Sequence, residues 1–227
     1  MMNLFDSKAK EYKRVRVMGM ALMSKVGATI PVELMVKAAE DFKMLGKDGK
    51  IVIMDAEDEV GFIADRAIHD IPWPRKRWIE TVCEQNSADY SPEEQALLNA
   101  HCQACFSLYE ILGVESGLGL RLLDVFNKEE IFLTDLGLGA TAKKGGLLAT
   151  RIIRFEGIQF TSGVGMPFPA GDKEKLTQNF IWLFEKKKGV LTWEQLMRKH
   201  APYFFIEYKK GTDQIAFADV VPRPKSA

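Results

Sequence analysis

FSLYEILGVESGLGLRLLDVFNKEEIFLTD, residues 106–135, is the stretch whose reading decides the fold. Its apolar residues alternate or run together in short blocks broken by Gly113, Gly117 and Gly119, and no helical spacing of three and four is sustained. GLLATRIIRF (146–155) and GIQFTSG (157–163) continue the pattern, and Glu156-Gly157 between them predicts a tight hairpin. Ten of the 18 glycines fall between Gly113 and Gly165, so turns are dense there. Five short strands so close together must curl, and we expect them to close as one small antiparallel β-barrel, SH3-like or OB-like, over residues 105–170.

Outward from this region the period becomes helical. On the N-terminal side, Ser91-Pro92-Glu93-Glu94 is a capping box with proline in the first turn, so a helix starts there. Leu97, Leu98, His101, Cys102 and Cys105 follow at helical spacing. Further helices are predicted from Tyr12, Val15, Met18, Leu22 and Val26, from Pro31 to Gly46, after an Asp55 cap, and around Arg77 to Gln85. The run Ile51 to Met54 is compatible with a strand or a loop. On the C-terminal side, Leu176, Phe180, Leu183 and Phe184 form a stripe, Thr192 to Gln195 is a second capping box, Pro202 closes that helix, and VPRPKSA reads as a frayed tail. The expected architecture is α+β: a helical region over 1–104, the barrel over 105–170, and C-terminal helices and tail over 171–227, packed as one unit.

Composition excludes several classes of function. Hydrophobic residues make up 47% and charged residues 27%, as in ordinary globular domains. Lys plus Arg equals Asp plus Glu at 31 each, so no overall field gathers a polyanion, and nucleic-acid binding is expected to be weak at most. No apolar run approaches a membrane span, and the basic residues before Val17 to Met23 read as the solvated face of a helix, not as a signal peptide. Three cysteines make no disulfide framework, which points to a reducing compartment and a cytoplasmic location.

The candidate chemistry is sparse. Cys102 and Cys105 form a Cys-x-x-C at a helix C-terminus, where the dipole favours the thiol, and the third cysteine, Cys83, has no partner at metal spacing. They are read as core, with no metal. Gly137-x-Gly139-x-x-Ala142 resembles half of a dinucleotide fingerprint, but only seven residues separate these glycines from the next strand, too few for a crossover helix. No cofactor is expected. Asp55, Glu57, Asp58 and Glu59 suit a helix start, and Asp65 with His69 shares a helix face at i, i+4. No nucleophile elbow, zinc-protease helix or phosphate loop is present, so no catalytic set assembles from local motifs. The surface candidate is Trp73-Pro74-Arg75-Lys76-Arg77-Trp78, three cations between two indoles, residue types that dominate binding hot spots.

SPEEQALLNAHCQACFSLYEILGVESGLGLRLLDVF through KKGGLLATRIIRFEG resembles a group of poorly characterised bacterial proteins. In these a helix leads into a FSLYEV-like strand, a GRGLRLRDL hairpin and a PGDLLLARL strand; the matching segments here are Phe106 to Leu112, Gly117 to Asp124 and Gly145 to Ile152. The resemblance implies the sheet and carries no catalytic residue. Some members end in a cysteine-rich SEC-C zinc segment, whereas this chain has no cysteine beyond Cys105, so no zinc function carries over.

The resulting expectation is a cytoplasmic, non-catalytic binding or adaptor protein that meets a protein partner or a second copy of itself, with Trp73, Arg75, Lys76, Arg77 and Trp78 as the contact segment. The alternatives are an enzyme whose site assembles from separated residues such as Asp65, His69 and Cys102, and a weak nucleic-acid-binding barrel.

Overall fold

Five helices precede the sheet: α1 (Leu4–Gly27), α2 (Val32–Asp41), α3 (Glu59–His69), α4 (Trp78–Gln85) and α5 (Pro92–Gln103). The sheet is built from β1 (Phe106–Glu115), β2 (Gly119–Asp124), β3 (Glu130–Thr134), β4 (Leu147–Phe155) and β5 (Ile158–Phe168), with a one-turn helix, α6 (Leu138–Thr141), between β3 and β4. Helices α7 (Lys173–Lys187), α8 (Trp193–His200) and α9 (Pro202–Lys210) follow. The computed structural model describes residues 4–47, 52, 54, 59–85, 89–187 and 189–211. Asp55, Glu57, Asp58 and the VPRPKSA tail lie outside them; of the Ile51 to Met54 run, Val52 makes an isolated antiparallel bridge to Leu45.

Local signals act where the sequence places them. Ser91 Oγ accepts from Glu94 N while the Glu94 carboxylate accepts from Ser91 N, and Thr192 and Gln195 repeat the exchange. The Glu156-Gly157 turn has φ of +48° and +76°, the left-handed pair that a two-residue hairpin matching strand twist requires. Pro202 follows the end of α8, as its position predicts, and also begins α9, where its missing N–H costs nothing. Helix α2 ends at Asp41, well before Gly46, through Lys43 in the left-handed region.

The sheet is antiparallel with order β3-β2-β1-β4-β5, and it is not a closed barrel. β3 and β5 are its edges: they approach each other without forming a ladder. Five residues of β3 face eleven of β5, and α1 lies along the gap. Arg16 Nη1 donates to Thr161 O of β5 at 3.3 Å, and the Lys8 ammonium sits 5.5 Å from the Phe132 ring of β3. A helix thus covers the edge groups that barrel closure would have paired.

Coiling gives the sheet two apolar faces, which is why its strands are so rich in apolar residues. On one face Tyr109, Ile111, Leu120, Leu122, Ile131, Leu133, Leu148 and Ile152 fill the space the sheet wraps around. The other face is covered by helices: Phe106, Leu108, Leu147, Ala149, Val164 and Met166 pack with residues of α2, α3, α7, α8 and α9. Ile153, Phe155, Ile158 and Phe160 pack with residues of α1, α3, α4 and α5. The glycine-rich loop has a steric origin: a Cβ on Gly139 would lie 2.8 Å from Gly119 N, and one on Gly119 would lie 1.9 Å from Leu133 O. This loop packs backbone against backbone, and the sheet beside it lacks the parallel crossover a dinucleotide site needs.

Candidate functional site

Along β4, Leu147, Ala149, Arg151, Ile153 and Phe155 point to the helix-covered face, so alternation alone drives a guanidinium into the core. Arg151 is fully buried. Such a cation needs carboxylates, and the C-terminal end of α3 supplies them: Arg151 Nη2 lies 3.1 Å from Asp65 Oδ2 and 2.8 Å from Asp70 Oδ2, and Nε lies 3.2 Å from Asp65 Oδ2. Burial alone would raise the Asp65 carboxyl, but Arg151 and then His69 outweigh it and hold the group well below the usual carboxylate range. Arg66 adds a second cation, 2.7 Å from Asp41 and 3.5 Å from Asp70. Asp41 also lies 3.4 Å from the Lys37 ammonium nearer the surface, so the buried carboxylates Asp65 and Asp70 are matched by the two guanidiniums of Arg151 and Arg66.

Two imidazoles extend the cluster. His69, one helical turn after Asp65, sets Nδ1 3.0 Å from Asp65 O and 3.3 Å from Asp65 Oδ1. Both are acceptors, so Nδ1 carries the proton, and in the tautomer protonated there alone Nε2 offers its lone pair. Its partner is His101 Nδ1 on α5, 3.1 Å away, which must then be the donor. The acceptor lone pair is thereby passed to His101 Nε2. That atom is buried and has no hydrogen-bond partner among the described residues. Burial holds His101 well below the ordinary imidazole range, so it is neutral at pH 7.

His101 forms part of the wall of a cavity of about 290 Å³ between α1 and β5. Gly19, Met20, Met23 and Phe160 supply the apolar wall; Ser24, Arg16 and Ser162 supply polar groups, and Ser162 Oγ is a second buried atom with no partner among the described residues. A proton taken up at His101 Nε2 can be matched by transfer of the Nδ1 proton to His69, which moves the positive charge beside the Asp65 carboxylate. Chemically the arrangement is a buried hydrogen-bond acceptor with proton-accepting capacity.

A second cavity, of about 260 Å³, opens beside Tyr109, Asp124, Arg154 and Trp193. Its charged groups are already engaged: Asp124 Oδ1 accepts from Phe126 N and Asn127 N, and Glu129 pairs with Arg154. Among the described residues, no group of three or more His, Cys, Asp and Glu side chains is arranged to hold a metal ion.

The residues singled out from sequence are partly gathered. Asp65 and His69 meet in the cluster. Cys102 sits one position from His101, and its sulfur lies 3.0 Å from that of Cys83; Cys105 lies beyond the end of α5. Of the Trp73 to Trp78 segment, Arg77 turns inward: it is buried and donates to Cys102 O at 2.7 Å and to His69 O at 3.3 Å. Lys76 pairs with Glu84, Trp78 Nε1 donates to Thr29 Oγ1, and Trp73 and Arg75 stay exposed. Arg151 was missed as a site residue, and His101, beside Cys102 on the same stripe, is read from sequence as part of the helix and not of a metal or redox site. The signal for Arg151 was present as a lone cation at a core-facing position of an apolar strand; for His101 the partner was the part that could not be read, because His69 lies 32 residues away.

Residues 6–212 match the model of a family described as a family of unknown function (DUF7986), and the chain belongs to that family. No curated protein and no solved structure matches it.

Proposed function

We propose that this DUF7986 member is a small-molecule-binding protein whose α1–β5 cavity receives a ligand bearing an O–H or N–H donor, with His101 Nε2 as the acceptor. The observation that carries this reading is a residue of the cavity wall, His101, whose buried Nε2 has no partner among the described residues, backed by His69, Asp65 and Arg151. An orphaned buried acceptor costs on the order of 1–3 kcal/mol, and a bound donor recovers it. Met20, Met23 and Phe160 favour a ligand whose remainder is apolar. The test uses p-cresol as probe and toluene, which lacks the hydroxyl, as control. The expected result is that p-cresol shifts the His101 ring-nitrogen resonances saturably, that toluene does not, and that His101→Phe abolishes the response. Equal binding of both compounds, or a p-cresol response that survives His101→Phe, overturns the reading.

A second reading, a cytoplasmic adaptor that meets a protein partner or a second copy of itself, is favoured by Ile181 and Trp182 on α7, 53% and 60% exposed. The Trp182 ring, with the Lys186 ammonium 4.8 Å from its centroid, and Ile181 would offer a partner apolar area. Concentration-dependent association that is lost in Trp182→Ala supports it; a monomer at all concentrations that retains nothing from a cytoplasmic extract counts against it. The absence of net charge continues to argue against tight nucleic-acid binding.

A further inference from the structure

Cys83 and Cys102 are separated by the α4–α5 connection, yet packing of the two helices brings their sulfurs to 3.0 Å, about 1 Å from disulfide bonding distance. Both side chains are half-buried, open enough for a small oxidant and sheltered from a second protein molecule. Arg77 anchors this corner with its guanidinium on Cys102 O at 2.7 Å, its charge paired with Glu80 at 2.7 Å, so the approach of the two sulfurs is fixed by the fold. We propose that Cys83 and Cys102 are a modification site, forming a reversible intramolecular disulfide on reaction with a hydroperoxide.

The roles of the two sulfurs differ. The contact between the sulfurs holds the Cys83 thiol below its ordinary value, while the same contact and burial push Cys102 up. Cys83 therefore attacks first. Its thiolate takes the terminal oxygen of the peroxide, the O–O bond breaks, and the leaving oxygen departs as water with the proton Cys83 gave up, or as an alcohol from an alkyl hydroperoxide. The sulfur of Cys102 then attacks the sulfenic sulfur, the S–O bond breaks, and a second water leaves with the Cys102 proton. Two thiols lose two electrons and the peroxide gains them; a dithiol reductant reverses the step. Cys105 is excluded: its S–H faces Phe106 O, and burial pushes it up to about 11. The inference does not rest on the proposed ligand site.

The experiment treats the full chain with excess hydrogen peroxide at neutral pH, then measures intact mass and thiols alkylated under denaturing conditions. The expected result is loss of two hydrogens, a fall from three alkylated thiols to one, a peptide linking Cys83 to Cys102, and full recovery with dithiothreitol. Cys105→Ser should behave as the wild type, and Cys83→Ser should lose the cross-link. The wild-type mass and peptide map stand even where a variant does not fold. An unchanged thiol count, a cross-link through Cys105, disulfide-linked dimers, or stable addition of two oxygens to Cys83 without a cross-link overturns the proposal.

Discussion

Arg151 and Arg154 stand three residues apart on the same strand and occupy opposite environments. Arg151 is fully buried between Asp65 and Asp70, whereas the side chain of Arg154 is 56% exposed and meets Glu129 at 2.6 Å. The distances are alike and the surroundings are not. Odd-numbered positions of β4 face the helices and even-numbered ones face the sheet's interior or its rim, so the parity of a position, more than its charge, fixes how strongly the fold depends on it. Water around Arg154 screens the pair and solvates either partner left alone. Around Arg151 there is no such substitute, and each carboxylate depends on the guanidinium.

The largest expected effect is therefore at the buried pair. Arg151→Ala leaves two carboxylates uncompensated and should lower unfolding stability by about 3–5 kcal/mol in denaturant titration. Next comes Gly119→Ala, which tests the sheet's wrapped face, where backbone closeness takes the place of charge. A methyl group 1.9 Å from Leu133 O forces β2 and β3 apart. We expect a loss of about 1–3 kcal/mol, insensitive to salt, by the same measurement.

A third test separates the imidazoles from the ion pairs by pH. Folded His101 is held neutral by burial, whereas unfolded it takes a proton near 6.5. Its contribution is complete above that value and is lost as pH falls below it, by up to about 1.4 kcal/mol per pH unit. His200, lowered by burial with Lys199 and Arg66 adding to it, contributes in the same window. Between pH 6.5 and 5, His101→Phe should flatten the fall in stability more than His200→Gln does. A His101→Phe slope equal to that of the wild type would show that His101 already carries its proton in the fold. The Asp65 carboxylate acts in a separate window, lost only as pH drops below the ordinary carboxylate range.

The smallest effect closes the comparison. Arg154→Ala should cost at most about 1 kcal/mol, and less in high salt. A loss approaching that of Arg151→Ala would break the argument from parity.

What the sequence determined by itself was what short-range geometry controls. The starts of α5 and α8 follow from a side chain reaching the backbone three residues on, the Glu156-Gly157 turn from two neighbouring left-handed residues, and the strand character of residues 106–168 from alternation within each run. The helical surroundings and the antiparallel order were legible for the same reason. What only the tertiary structure decided depends on partners far along the chain. Whether the sheet closes is set by α1 lying over the gap between β3 and β5, and no local pattern in those strands encodes that helix. Arg151 finds Asp65 across 86 residues, His69 finds His101 across 32, and Cys83 finds Cys102 across 19. Each of these pairs consists of side chains that read as ordinary in their own neighbourhoods. They become a site because helices α3, α4 and α5 bury their apolar stripes against β4 and bring their remaining polar groups to one place.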